Sequence, residues 1–502
     1  MFYKHNLKNL GVKYSFPELL NTHDLADWCH HVSKPDLGTL KTLDTLNFRK
    51  LNRSTNDFMR DGSQAVNQLF SSEIENFLKE EKHNNADAKY FLDFLKAHFS
   101  QERHVRILLV QLIGRMLISA QGSPDGLTDD LKTRKIINET QRKAWEETVD
   151  YLSLATEVLN AASYSADDAF DETETRYGVM TPQKEYGIFA GPIGADILLH
   201  SLGNYLFYKT IRIHEKGVEG AYLTEAGEVS VENDPYSLKW KDRKTGTYVY
   251  INPEQYMDVW EVWTWAWYMI NSGQIRDLYE FKLSDIEMFD AVSYVNRAYR
   301  LSGGFIECMA HLSSAFTGCG YWAGRQNIGK WAAIYGTMVQ VRNDFYDYVT
   351  YTVEGSAHQL IKGTHEDISL GRVTLPLGFA YQQASPAEKE EMASLAKLMT
   401  TKKKNGEEIK LEDKLKLNKL IAKNGGFAAS KKLVYNLASW ALVELLALKD
   451  DFKDDAHYQE LVAWTVATLN IVNLAPEEEQ PTEKTSKDIF SLEEVYAYLC
   501  TI

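Results

Sequence analysis

The stretch "SADDAFDETETRYG", residues 165–178, crowds carboxylates where an apolar run ends. On a helix, Asp167, Asp168 and Asp171 stand at i, i+1 and i+4, so Asp167 and Asp171 stack and Asp168 flanks them. Like charges that close repel unless something positive sits between them. Hard oxygen donors suit magnesium, which usually shares its shell with water and substrate phosphates. A solvated acidic helix end is the plain alternative. A second segment, "GKWAAIYGTMVQVRNDFYDYVTY", offers Asn343, Asp344 and Asp347 at the same relative spacing, again after a mostly apolar run. Two such clusters on separate helices point to a divalent-metal site ligated by Asp167, Asp168, Asp171, Asn343, Asp344 and Asp347.

The elements that must carry these residues read as helices. Apolar positions recur at three and four residues from "DAKYFLDFLKAHF" onward, and "VRILLVQLIGRMLISA" and "KAWEETVDYLSLATEVLNAASYSA" are apolar enough for a core. Residues 216–251 instead alternate apolar and polar positions between turn residues, predicting a surface β insertion of two or three short strands. The Lys-rich stretch 400–414 reads as a solvated loop, and 475–488 as a polar linker before a short last helix. The expected organisation is an N-terminal helical extension over 1–88, one main domain over 89–475, and a linker with a C-terminal helix over 476–502.

Composition narrows the partners. With 502 residues, 44% hydrophobic and 25% charged, the chain has ample material for a core. A formal charge of −15 argues against nucleic acid, which needs clustered lysine and arginine. It leaves room for a phosphorylated small substrate, because metal ions invert the local sign. Four scattered cysteines, Cys29, Cys308, Cys319 and Cys500, suit a reducing compartment. No apolar run of about 18 residues predicts a transmembrane helix, and the N-terminal residues lack the apolar core of a signal peptide. A soluble, intracellular protein is the expectation, cytoplasmic, or organellar if a transit segment was removed.

Taken together, the motifs resemble those of the trans-isoprenyl diphosphate synthases and their relatives, the class I terpene cyclases. "DDAFDETETRYG" is similar to that family's first aspartate-rich motif with its arginine-arginine-glycine, and "QVRNDFYDY" to the second. "GQIRDL" at 273–278 resembles the glycine-glutamine-x-x-aspartate-leucine between them. "EDISLGRVTLPL" at 366–377 resembles the segment that follows the second motif. The resemblance implies an all-α, isoprenoid-synthase helical bundle around a central apolar cavity, with the two motifs facing each other at its mouth. It implies three magnesium ions that bind an allylic diphosphate and draw off pyrophosphate. It also places Gln340, Arg176 and Arg372 among the substrate-binding residues.

Departures from the family pattern bear on the acceptor. The basic glycine-lysine-arginine-x-arginine segment that would hold isopentenyl diphosphate is "ERHVR", with Arg103, His104 and Arg106. Asn160 stands for a histidine, and Tyr177 for the second arginine after the first motif. A family lysine falls, counted without gaps, at Glu307, and another is Arg372. These changes weaken attraction for a second diphosphate while keeping a partly basic pocket, and Glu307 could hold or deprotonate an ammonium group. The favoured expectation is prenyl transfer from a geranyl-to-geranylgeranyl diphosphate to a different small acceptor, such as an amino-acid amine. Algal N-prenyltransferases offer a precedent by analogy. A terpene cyclase, an elongating synthase and a non-catalytic partner subunit stay open, as does assembly as a homodimer.

Overall fold

The computed structural model describes residues 64, 67–73, 75, 105–121, 139–176, 179–188, 198–224, 238–241, 248–251, 253–317, 319, 324–348, 365–452 and 455–468. Most of the expected N-terminal extension, the helix expected at 87–99, and the C-terminal linker and helix lie outside the described residues.

Helices dominate what is described. In chain order the first are α1 (Val105–Gln121), α2 (Glu139–Phe170), the short α3 (Pro182–Tyr186), α4 (Leu198–Thr224) and α5 (Pro253–Glu280), and α8 (Arg325–Asn343) follows further on. At a rise of about 1.5 Å per residue, α2 alone spans about 48 Å. Its apolar stripe, including Leu152, Ala155, Val158, Leu159 and Ala162, is fully buried. That stripe packs mainly on α4 and also on α1. The α4–α5 contact is aromatic: Phe207 stacks on Trp263 with centroids 4.5 Å apart, Trp260 meets Phe207 edge-on at 4.9 Å, and His200 stacks on Trp267 at 4.4 Å.

A short helix α6 (Ala291–Ala298) runs through a π-helical turn, Tyr299–Gly303, into α7 (Gly304–Phe316). Glycines let that turn sit against its neighbours. A Cβ on Gly336 of α8 would lie 2.7 Å from the Gly303 Cα, and one on Gly273 of α5 would lie 2.9 Å from the Leu301 nitrogen. The glycine of "GQIRDL" therefore works as a contact point, bringing Gln274 and Asp277 in against the bundle.

Past α8 come α9 (Glu366–Ser369), α10 (Leu375–Gln383), α11 (Pro386–Lys404), α12 (Leu411–Lys423), α13 (Gly426–Leu446), α14 (Lys449–Phe452) and α15 (Ala456–Ala467). The start of α11 is set by a capping box, with Ser385 and Glu388 each satisfying the other's backbone.

Two expectations need correcting. The β insertion begins later than 216, because α4 continues to Thr224. Once nucleated, a helix propagates through Gly217 and Gly220 at about 1 kcal/mol each. Only the antiparallel pair β3 (Leu238–Lys241) and β4 (Tyr248–Ile251) of that region is described. The Lys-rich loop is shorter than 400–414, confined to the mostly exposed residues 405–410 between two helices. Lys402, Lys403 and Lys404 form the last turn of α11, where cations favour the helix dipole, and Gly406 at φ 68 closes it.

Among the described residues, no helix is long and apolar enough to cross a membrane.

Candidate active site

Asp167, Asp168 and Asp171 lie at the C-terminal end of α2, where the helix dipole is itself negative. Asp168 and Asp171 are buried and Asp167 is half-buried. Carboxylates there demand a cation. One comes from Arg372, whose guanidinium pairs with Asp171, sits 3.1 Å from Asp277 and 3.8 Å from Asp367. Burial alone would lower the basicity of Arg372, but Asp171, Asp277 and Asp367 outweigh it and hold the charge. Gln274 donates to Asp167 at 3.3 Å. Three segments distant in sequence thus converge on one point: the end of α2, the "GQIRDL" turn of α5, and the 366–377 stretch.

The chain after the first motif folds back over it. Gln183 Nε2 donates to the carbonyls of Asp168 (2.8 Å) and Thr173 (2.7 Å), which also accept from the Thr173 nitrogen (2.9 Å) and the Thr181 hydroxyl (2.5 Å) respectively. A small hairpin pairs β1 (Thr175–Arg176) with β2 (Val179–Met180), with Arg176 opposite Val179. Tyr177, Arg103 and His104 lie outside the described residues.

The second motif is differently disposed. Asn343, the last residue of α8, is exposed, and Gln340 one turn earlier is half-buried. Asp344 points inward: one oxygen accepts from the Tyr294 hydroxyl and, at 2.6 Å, from the Leu375 backbone nitrogen. Burial pushes its carboxyl up to about 7 against the pull of Arg297. Asp347 accepts from the backbone nitrogens of Glu366 and Asp367, both at 3.1 Å, and so caps the short helix α9.

A buried chain of contacts links this motif to the first. Tyr294, which holds Asp344, lies under Arg297 at 4.2 Å, and Phe281 flanks the same guanidinium at 5.0 Å. Arg297 pairs with Asp277, and Asp277 with Arg372. Burial opposes the charge on Arg297, while Tyr294, Asp277 and Asp344 restore it.

The donor set fits a hard divalent cation at the first motif, where Asp167, Asp168 and Asp171 share one helix end. At both motifs the carboxylates also serve protein donors, Arg372 and Gln274 at the first and Tyr294 with backbone nitrogens at the second. Among the described residues, no group of three or more His, Cys, Asp or Glu side chains converges as a cage.

The residues expected to hold the acceptor separate into two places. Arg106 bonds to Asn160 and Tyr164 on α2 and stacks over the Tyr164 ring at 5.1 Å, within two turns of Asp167. Glu307 is buried on α7, where it accepts from Tyr299 at 2.6 Å and lies 3.9 Å from His311. Tyr299 packs on Met269, five residues before Gln274, or about 7.5 Å further along α5. Glu307 therefore belongs to the interior and not to the aspartate cluster. Burial lowers the basicity of His311 beside it.

The sequence alone assigns no role to Gln274 or Asp277 within "GQIRDL", nor to Asp367, Arg297 and Tyr294. Gln274 and Asp277 carried a signal: polar residues at i and i+3 on an apolar helix share one face. Arg297 carried none, since its partners come from other elements.

The sequence profile of the polyprenyl synthetase family matches residues 100–412. The chain belongs to that family, whose members are prenyltransferase enzymes. Solved structures agree on the fold. Geranylgeranyl pyrophosphate synthetase from Pyrococcus horikoshii is 15% identical with a TM-score of 0.53, covering 83% of this chain and 98% of that one. A decaprenyl diphosphate synthase from Rhodobacter capsulatus is 15% identical at TM-score 0.52, covering 83% and 100%. Geranylgeranyl pyrophosphate synthase from Corynebacterium glutamicum, complexed with isoprenyl diphosphate and magnesium, is 15% identical at 0.51, covering 83% and 98%. No curated protein sequence matches.

Proposed function

We propose that this enzyme ionises an allylic prenyl diphosphate, geranyl to geranylgeranyl, and transfers the prenyl group to a small acceptor other than isopentenyl diphosphate. The observation that carries the reading is the convergence of Asp171, Asp277 and Asp367 on Arg372. Acids and a fixed cation in one partly buried place suit a metal–diphosphate substrate. The magnesium and isoprenyl diphosphate named for the Corynebacterium relative are consistent with that.

In this reading Asp167, Asp168 and Asp171 hold magnesium, which supplies Lewis-acid stabilisation of the leaving diphosphate. Gln274 orients Asp167. Arg372 and Arg176 bind diphosphate oxygens through charge-assisted hydrogen bonds. The carbon–oxygen bond breaks with its electron pair on pyrophosphate, and apolar walls keep water from the cation. Arg106, with Arg103 and His104, holds the anionic end of an amine-bearing acid. As the new carbon–nitrogen bond forms, the amine proton passes to the released pyrophosphate, because Glu307 lies in the interior, paired with Tyr299.

A second reading, chain elongation with isopentenyl diphosphate, is favoured by the relatives, which are named as prenyl diphosphate synthases. One experiment separates the two. The purified chain is mixed with magnesium and geranyl, farnesyl or geranylgeranyl diphosphate, alone, with isopentenyl diphosphate, or with amino acids, and products are read by mass spectrometry. A prenylated amine supports the first reading. A lengthened diphosphate supports the second, and a cyclic hydrocarbon without acceptor overturns both. Asp171→Asn should cut pyrophosphate release by about 100-fold or more, because a neutral amide is a poor magnesium ligand.

A further inference from the structure

We propose that Arg372 is a shared cation that makes metal binding at the first aspartates conditional on the diphosphate. The inference rests on the reading that those aspartates bind magnesium and Arg372 binds diphosphate. It adds that the two events are one exchange.

The geometry has three parts. First, a single guanidinium serves carboxylates from three elements, pairing with Asp171 and reaching Asp277 and Asp367. Second, its backbone is fixed while its side chain is long. The Arg372 nitrogen donates to the Asp367 carbonyl at 2.9 Å, and the Val373 nitrogen to Phe281 at 2.9 Å. The preceding Gly371, at φ 84, turns the chain into that position. Third, Asp277 has its own cation. Arg297, 5% exposed and flanked by Tyr294 and Phe281, stays paired with Asp277 wherever Arg372 points.

A divalent ion at Asp171 and a guanidinium on the same carboxylate repel one another, strongly so in a partly buried site. Metal alone must therefore displace Arg372 from Asp171 with only Asp277, which Arg297 already pairs, and Asp367, 3.8 Å away, to receive it. A diphosphate changes the balance, since its oxygens accept a planar guanidinium in paired hydrogen bonds. Arg372 moves to the phosphate, Asp171 is released to the metal, and Arg297 keeps Asp277 compensated. Binding of metal and of diphosphate then reinforce each other, and by linkage the effect is reciprocal.

The test is a manganese titration of the full chain followed by electron paramagnetic resonance, with and without an unreactive thiolo-diphosphate analogue. Manganese stands in for magnesium. The wild type should bind manganese about 10-fold or more tightly once the analogue is present. Arg372→Gln should bind manganese alone about 10-fold more tightly than the wild type, with little further gain from the analogue. Arg372→Lys, which keeps the charge and loses the fork, should fall between them. It carries the test if the glutamine variant does not fold by circular dichroism. Manganese affinity in both variants no higher than in the wild type, with the wild type still responding to the analogue, overturns the exchange alone. Failure of the wild type to bind manganese even with the analogue overturns the metal reading and the exchange together.

Discussion

Asp171 and Asp344 belong to motifs of similar spelling, and their neighbours give them different work. Asp171 meets a guanidinium, whereas Asp344 meets a phenol and a backbone amide. Tyr294→Phe should leave a buried acceptor short of a donor and cost about 1–3 kcal/mol, read by urea denaturation. A second residue-scale prediction concerns His365, whose imidazole bonds to Asn418 at 2.8 Å and which burial pushes down to about 4. The unfolded chain, at the ordinary 6.5, takes the proton more readily, so the stability is complete above 6.5 and lost as pH falls toward about 4. At pH 5 the loss is about 2 kcal/mol relative to pH 7.5. His365→Asn, which tolerates the left-handed backbone at φ 63, should show a correspondingly smaller difference between denaturation midpoints at the two pH values. At this scale, residue types and spacing exposed the first motif's acids, because spacing along one helix fixes their mutual position. The partners of Asp344 and Asp347 lie on other elements, Tyr294 and Leu375 for one and the start of α9 for the other. No local pattern encodes them.

The elements were legible to the extent that they repeat. The apolar period of α1 and α2 is written in the chain, and both are buried as it predicts. The end of α4 departs from the sequence expectation, because alternation over 216–224 imitates a strand while the preceding helix simply continues. Less visible still was the close crossing of α8 with the π-helical turn, which depends on Gly336 meeting Gly303. Gly336→Ala would put a methyl carbon 2.7 Å from backbone that cannot rotate away. The cost should be about 1–3 kcal/mol, seen as a lower thermal midpoint. Activity should fall as well, since that turn joins α6, which carries Arg297, to α7, which carries Glu307.

At the scale of the whole molecule, four short motifs in order were enough to indicate an all-helical prenyltransferase fold, and the family match over 100–412 bears it out. What they left untouched was the attachment of the N-terminal part. Residues 67–73 are helical and docked: Phe70 is 4% exposed within the main core, and Glu73 bonds to Tyr151 at 2.6 Å and pairs with Lys209. The segment is therefore part of the folded unit and not an appendage. Phe70→Ala should lower its stability by about 3–5 kcal/mol and shift one cooperative unfolding transition, without splitting off a second one. Pulse proteolysis across a urea series would read both.

The aromatic seam between α4 and α5 has a further use. Rings held rigidly at 4.4 to 4.9 Å, Phe207 with Trp263 and Trp260 and Trp267 against His200, place their indole and phenyl groups, which absorb near-ultraviolet light, in an asymmetric field. The molecule thus contains its own optical gauge. The share of the near-ultraviolet dichroism that these rings supply should be lost when those two helices part, and kept in a variant damaged only at the site.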